Sequence, residues 1–216
     1  MTREPGHRRS RAEQKLGTRR RIIDAALSLV REGRSFSSLS LRKVAHAARV
    51  APNAFYRHFS GMDELGLAIV DEGGLTLRRL LRQVREAGVP DREIVRRSVD
   101  VYVQYVRAQR SEFIFVSRER HGGSARIREA IRREMGYFAA EMASDLGTLG
   151  VLPNLSTASR LMIAEIVVQI MVDAASDILD LPPGRPDVER DLIERFVRQL
   201  IVVFLGARAW RESEDR

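Results

Sequence analysis

Residues 40–59 read Ser-Leu-Arg-Lys-Val-Ala-His-Ala-Ala-Arg-Val-Ala-Pro-Asn-Ala-Phe-Tyr-Arg-His-Phe, and this stretch decides the fold. Ser40 offers a side-chain oxygen to cap a short helix, Leu41 to Ala48, in which Leu41, Val44, Ala45 and Ala48 share one face. Arg49-Val50-Ala51 is a turn. Pro52, whose fixed φ suits a first helical position, opens the next helix, Pro52 to His58. Phe55 and Phe59 stand one turn apart and are expected inside. Upstream, Thr18 is a candidate cap for a helix starting near Gly17-Thr18. Ile22, Ile23, Ala26, Leu27 and Val30 recur in it at helical spacing, and Gly33 ends it. Phe36 and Leu39 in the following connection should tuck into a small core. Helix, tight turn, helix, with a third helix in front, is a helix-turn-helix module.

The charge distribution agrees with a polyanion partner for this module. The chain of 216 residues carries a net charge of +8, yet residues 1–60 alone have 14 Lys/Arg against 4 Asp/Glu, a balance of +10. The remainder balances at −2. A basic excess confined to one quarter is the electrostatic footprint of nucleic-acid binding, although a solvated basic tail has the same composition. With no Cys, disulfides, thiolate chemistry and Cys-based zinc sites are excluded. His7, His46, His58 and His121 show no metal-ligand spacing. The basic N-terminus has no apolar stretch behind it and no run of about 18 apolar residues exists, so a cytoplasmic protein with neither signal peptide nor membrane span is expected.

In such a module the second helix presents its N-terminal residues to base edges in the major groove. Asn53 is the best base reader, since an amide can bond adenine through two edges, while Pro52 and Ala54 can touch a thymine methyl. Tyr56 and His58 flank them with a hydroxyl and an imidazole N–H for phosphate oxygens. Ser40 and Arg42 begin the preceding helix and are candidate phosphate or groove-edge contacts. Lys15, Arg19 and Arg20 are expected at the DNA backbone. Residues 1–15 read as a flexible basic arm whose Arg8, Arg9 and Arg11 can reach a minor groove. The expected division is therefore arm 1–15, helix-turn-helix domain 16–62, and an all-helical body 63–216.

The body reads as amphipathic helices near 62–87, 91–109, from Ser111, 124–146, 156–180 and 187–211. Gly73-Gly74 is expected to interrupt the first of these, as a joint or as a close packing contact. Ala164, Val168, Met171, Val172, Ala175, Ile178 and Leu179 form one stripe on the penultimate helix. Leu192, Phe196, Leu200, Val203, Phe204 and Ala207 form another on the last.

Thr18-x-x-x-Ile22-x-x-Ala25-Ala26, Ser40-Leu41-x-x-Val44-Ala45-x-x-Ala48-x-Val50-Ala51, Phe55-Tyr56-Arg57-His58-Phe59 and Glu64-Leu65 resemble the DNA-binding domain of TetR-type repressors. Arg49 stands where the family commonly has Gly, Ala51 where the recognition-helix cap is often Ser or Thr, and Met62 where Lys is frequent. Further on, Asp63-Glu64-Leu65-Gly66-Leu67, Val70-Asp71-Glu72 and Arg118-Glu119-Arg120 resemble the branch controlling unsaturated fatty-acid synthesis and desaturation. That resemblance implies a homodimer formed by the last two helices, a palindromic double-stranded DNA operator, and a long-chain acyl-CoA, saturated or unsaturated, as effector. No other cofactor and no metal are implied.

For an alkyl chain, Tyr102, Val103, Val106, Phe113, Phe115, Ile131, Met135, Phe138 and Met142 are the candidate wall, although aromatic and Met residues at this spacing also make ordinary core. Arg118 and Arg120, with Arg126, Arg128, Arg132 and Arg133 nearby, are candidates for holding CoA phosphates, and are equally a solvated helix face. Three other readings stay open: a repressor of an efflux or catabolic operon with a different ligand, an acyl-CoA-processing enzyme with a basic arm, and a basic protein coating membrane or nucleic acid. The enzyme lacks a nucleophile–base pair, a metal cluster and a Gly-rich phosphate loop in the sequence.

Overall fold

The computed structural model describes residues 11–86 and 92–211. They are helical throughout, with no strand among them. α1 (Arg11–Arg31) buries Ile22, Ile23, Ala26, Leu27 and Val30. Gly33, at φ +95°, closes it by returning its N–H to the Val30 carbonyl at 3.0 Å, while the Arg34 N–H reaches the Leu29 carbonyl at 3.3 Å. The helix begins at Arg11, not near Thr18. Thr18 does not cap it, because its hydroxyl donates to the Gln14 carbonyl at 2.9 Å, and Glu13 supplies the acid favoured in a first turn. Residues 11–15 are therefore helix and not arm, while residues 1–10, with Arg8 and Arg9, lie outside the described residues.

A single 3₁₀ turn (Phe36–Ser38) sinks Phe36, and α2 (Leu41–Ala47) follows. The Ser40 hydroxyl accepts from the Lys43 N–H at 3.3 Å, as the capping pattern predicts. Arg49 sits at φ +54°, the left-handed conformation that the family's usual Gly adopts freely. α3 (Pro52–Tyr56) has Pro52 in its first turn and ends two residues short of the expected His58. Phe55 and Phe59 are fully buried with ring centroids 5.7 Å apart.

α4 (Met62–Arg85) joins head to body. Its first half (Leu65, Ala68, Ile69, Val70) belongs to the head's core, and Leu77 to the body's core. The expected interruption at Gly73-Gly74 does not occur: the helix runs straight through both. A Cβ at Gly74 would collide with the Glu134 side chain, and the Gly73 carbonyl accepts the Tyr105 hydroxyl at 3.0 Å. Close packing is what Gly74 provides, whereas a Cβ at Gly73 would meet nothing within 4 Å.

α5 (Arg92–Ala108), α6 (Arg110–Glu119), α7 (Ala125–Thr148), α8 (Thr157–Leu179) and α9 (Pro186–Ala209) complete the body. Ser124 and Ser156 cap α7 and α8 through their hydroxyls. α7 lies along α8 and α4, and α5 packs on α9. The head has no separate core, since Phe115 of α6 and Ile127 and Ile131 of α7 are buried in the same cluster as α1 to α3. Among the described residues no helix is long and apolar enough to cross a membrane.

Candidate nucleic-acid interface and ligand cavity

The short α3 leaves Pro52 and Asn53 exposed and Ala54 partly so, because Phe55 alone anchors the helix inward. Tyr56 is 61% exposed, with its ring edge-on to Phe55 at 6.2 Å. Ser40, Arg42 and Lys15 are exposed as well. His58 is half-buried beneath them. Its Nδ1 is shielded from water and has no hydrogen-bond partner among the described residues. Burial, then the charges of Lys15, Arg19 and Arg57, hold its pKa below the ordinary histidine value. An unsatisfied imidazole nitrogen among three cations is an environment that an anion would relieve.

Arg19 and Arg20 point elsewhere. Arg19 ion-pairs with Glu72 of α4 and stacks 5.1 Å from the centre of the Phe59 ring. Arg20 bonds Asp24 at 2.9 Å and lies 3.9 Å from Glu72 and 3.7 Å from Glu112 of α6. Both guanidiniums clasp the head to the body, so the structure gives these two residues a different task from the expected phosphate contact.

The body encloses an elongated cavity between α4, α5, α6, α7 and α8. It offers about 160 Å³ to the centres of water-sized atoms, roughly ten times what one water needs. Ile69 and Arg85, at opposite ends of its α4 wall, are about 24 Å apart at the helical rise per residue. Of the expected wall residues, Tyr102, Phe113, Ile131, Met135, Phe138 and Met142 line it. Val103 and Val106 do not, being packed in the body's core cluster with residues of α9. Phe115 does not either: it is buried in the head's cluster, edge-on to Phe36 at 4.9 Å.

Arg118 and Arg120 also lie outside the cavity wall. Arg118 donates to the Val30 carbonyl at 2.9 Å, holding the end of α1, and Arg120 pairs with Asp173 of α8 at 3.2 Å. Between them Glu119 is buried, its carboxylate accepts from the Phe36 N–H, and burial raises its pKa. The other arginines are spread among Asp63, Glu129 and the Gly122 and Gly123 carbonyls, or left exposed at Arg132. No common phosphate cradle forms from them.

The cavity also takes in residues that sequence reasoning passed over. Leu77, Leu81 and Gly73 line it from α4, and Val167, Val168, Met171 and Val172 from α8. Its polar groups are mostly engaged. The Tyr102 hydroxyl donates to the Met171 carbonyl at 2.7 Å, and burial raises its pKa. Arg85 bonds Asp145 of α7 at 2.6 Å, and Glu134 pairs with Arg78. Glu112 lies 3.7 Å from Arg20 and accepts from its own backbone N–H, and burial raises its carboxyl above the ordinary carboxylate value. Glu112 could have been suspected from its place in the first turn of an apolar helix, a single acid before Phe113, Ile114 and Phe115.

Comparison with known proteins places the chain in a family. Residues 22–69 match the family model described as bacterial regulatory proteins, tetR family, and residues 91–203 match a tetracyclin repressor-like C-terminal domain. Among solved structures, the fatty acid degradation regulator FadR from Bacillus halodurans is 18% identical, with a TM-score of 0.66 over 90% of this chain and 97% of its own. FadR from Bacillus subtilis, solved with stearoyl-CoA, is 16% identical with a TM-score of 0.66, covering 87% of this chain and 98% of its own. AibR, solved with isovaleryl coenzyme A and operator DNA, is 17% identical with a TM-score of 0.62, covering 85% and 97%. At these identities the structures show a shared fold. The family models span both the head and most of the body, and the chain belongs to the TetR family of bacterial regulatory proteins, transcriptional regulators and not enzymes.

Proposed function

We propose that this chain is a homodimeric repressor of genes for fatty-acid desaturation or unsaturated fatty-acid synthesis, whose operator affinity is tuned by long-chain acyl-CoA. The observation that carries the reading is the cavity: its α4 wall runs about 24 Å from Ile69 to Arg85, the scale of an extended long acyl chain, and its lining is mostly aliphatic, aromatic and Met side chains. Bacillus subtilis FadR and AibR, which share the fold, were solved with acyl-CoA bound. A bent and a straight chain fill such a channel differently, so the two can favour different head positions, with coupling of a few kcal/mol at most.

The head engages a palindromic operator through Asn53, with Pro52 and Ala54 beside it and Tyr56, His58, Ser40, Arg42 and Lys15 on the phosphates. Pairing two heads requires a dimer. Met162 and Ile166 of α8 and Val202 and Leu205 of α9 are 40–67% exposed and sit one turn apart on two packed helices, an apolar strip suited to the same strip on a second copy.

The test is operator binding at fixed salt, using DNA upstream of a desaturase operon, with oleoyl-CoA or palmitoyl-CoA added. Opposite shifts in affinity support a sensor of lipid saturation. DNA binding that ignores both thioesters removes the fatty-acid role and leaves the repressor. A second reading, control of a fatty-acid catabolic operon, is favoured by the regulator of fatty acid degradation among the structural relatives. The same titration on promoters of degradation genes separates the two.

A further inference from the structure

The cavity is electrically asymmetric along its length. At its head-proximal end the wall contains Glu112, together with Tyr105, whose hydroxyl is committed to the Gly73 carbonyl. At the far end it contains Arg85, sixteen residues along α4 from Ile69 and paired with Asp145 at 2.6 Å. An amphiphile with an anionic head group is repelled at the first end and tolerated at the second. Glu112 is the wall carboxylate that reaches a charged group of the head. Its carboxylate lies 3.7 Å from the Arg20 guanidinium of α1, and Arg20 in turn lies 3.9 Å from Glu72, one residue before the glycine pair at the cavity wall.

We infer that the cavity takes an acyl thioester one way round, polar end towards Arg85 and terminal methyl towards Glu112, and that the Glu112–Arg20 pair passes the arrival of the chain end to the DNA-binding head. This rests on the proposal that the effector is an acyl-CoA. A short chain fills only the part of the channel between Leu81 and Met142 and leaves Glu112 on Arg20. A chain long enough to reach Ile69 presses on Glu112 and Phe113, which stand side by side at the start of α6. Any shift there acts on α1 through this ion pair, which is partly exposed on the Arg20 side and so contributes modestly. The regulator thus measures whether a chain spans the cavity, not merely whether one is bound.

The experiment uses the full chain and its operator, with octanoyl-, lauroyl-, palmitoyl- and stearoyl-CoA, each at saturation. Direct binding of each thioester is measured separately without DNA. In the native protein the thioester affinity should climb gradually with chain length, while the change in operator affinity should appear abruptly once the chain spans the channel. In Glu112→Gln, which keeps the shape and removes the charge, the saturated change in operator affinity should shrink by about two- to fivefold, the size carried by a partly exposed ion pair. Arg20→Gln should shrink it alike, and the double variant no further, because the two act as one unit. A merely structural role for either residue would give additive losses or none. If the thioesters bind but every length changes operator affinity equally, or if Glu112→Gln and Arg20→Gln keep the native response, the inference is overturned. If no thioester binds, the acyl-CoA reading itself fails. Should Glu112→Gln not fold, Arg20→Gln, at a half-exposed site, decides alone.

Discussion

Asn53 and Arg42 should fail in different ways, and the difference tests the DNA-binding reading of the head. Asn53 is exposed in the first turn of α3 and makes no side-chain hydrogen bond among the described residues, so Asn53→Ala should leave the stability of the protein within about 0.5 kcal/mol of the native chain. A two-edged amide–adenine contact discriminates against a wrong base by about 1–3 kcal/mol. A dimer on a palindrome loses it twice, about 2–6 kcal/mol, which is roughly 30-fold to more than 10⁴-fold in operator affinity. Affinity for a scrambled duplex should hardly move. Arg42 is equally exposed but is placed to meet phosphate, so Arg42→Gln should weaken operator and scrambled DNA alike. Losing one phosphate contact per half-site should flatten the slope of log affinity against log salt by about 1.8. Fluorescence anisotropy on both duplexes over a salt series reads all of this. Equal losses on both duplexes for Asn53→Ala would refute its role as a base reader, and a halved effect would mean that only one head engages.

Three further perturbations probe the remaining parts. The His58 pKa is lowered in the free protein by burial and then by Lys15, Arg19 and Arg57, whereas a DNA phosphate favours the charged ring. Binding should therefore take up a proton, and operator affinity should rise as pH falls through neutrality, with the slope lost in His58→Gln. In the free protein the sign is opposite: a depressed His pKa gives stability that is present above 6.5 and lost as pH falls below it, which urea titrations at several pH values would show. Leu81→Trp puts an indole into the cavity proposed to hold the acyl chain. It should cut oleoyl-CoA affinity by at least about tenfold with operator binding kept, and isothermal titration showing native thioester affinity would move the ligand elsewhere. Val202→Glu with Leu205→Glu places two carboxylates on the exposed strip of α9, and sedimentation should then report a monomer with little operator affinity; an intact dimer would assign the interface to another face.

The sequence shows the head better than the body, for physical reasons that can be located. In the head each apolar residue has one neighbourhood, so helical spacing separates Phe55 and Phe59 from the exposed Asn53 and Tyr56. The cap at Ser40, the left-handed turn at Arg49 and the end at Gly33 are all set by nearest neighbours. The start of α1 is not, because a polar run such as residues 11–17 has no periodicity to mark it. In the body, α8 is apolar around most of its circumference. Val167 and Met171 meet the cavity, Ala174 and Ile178 the core, and Met162 and Ile166 the surface, and no stripe distinguishes these uses. Val103 and Phe115 have the composition of a ligand wall but face α9 and the head. Arg19 and Arg20 look like any basic residues of a DNA-binding helix until the carboxylates of α4 and α6, some 50 to 90 residues away, are brought against them.

The Arg118-Glu119-Arg120 run shows how such a motif acquires its meaning from the fold. In sequence it suggests a phosphate site. In the structure it is the point where α6 takes hold of the head: Arg118 on the last turn of α1, Glu119 on the N–H of Phe36, and Phe115 one turn earlier against the Phe36 ring. Glu119 is the sole buried charged side chain among the described residues, and one of its oxygens is unpaired there. Losing it would strand the Phe36 N–H in an apolar core, which costs about 1–3 kcal/mol. The opposite end of the ten-residue α6 reaches the head again through Glu112 and Arg20, and between these two grips Phe113 and Val116 face the cavity. A helix held to the head at both ends and lining the cavity in the middle couples the cavity wall to α1. Because α1 shares its core with α2 and α3, the recognition helix moves with it. Under the proposed ligand response, the tight packing of that core would make the motion a displacement of the whole head and not a local deformation, which is what a change in spacing between the two recognition helices of the proposed dimer requires.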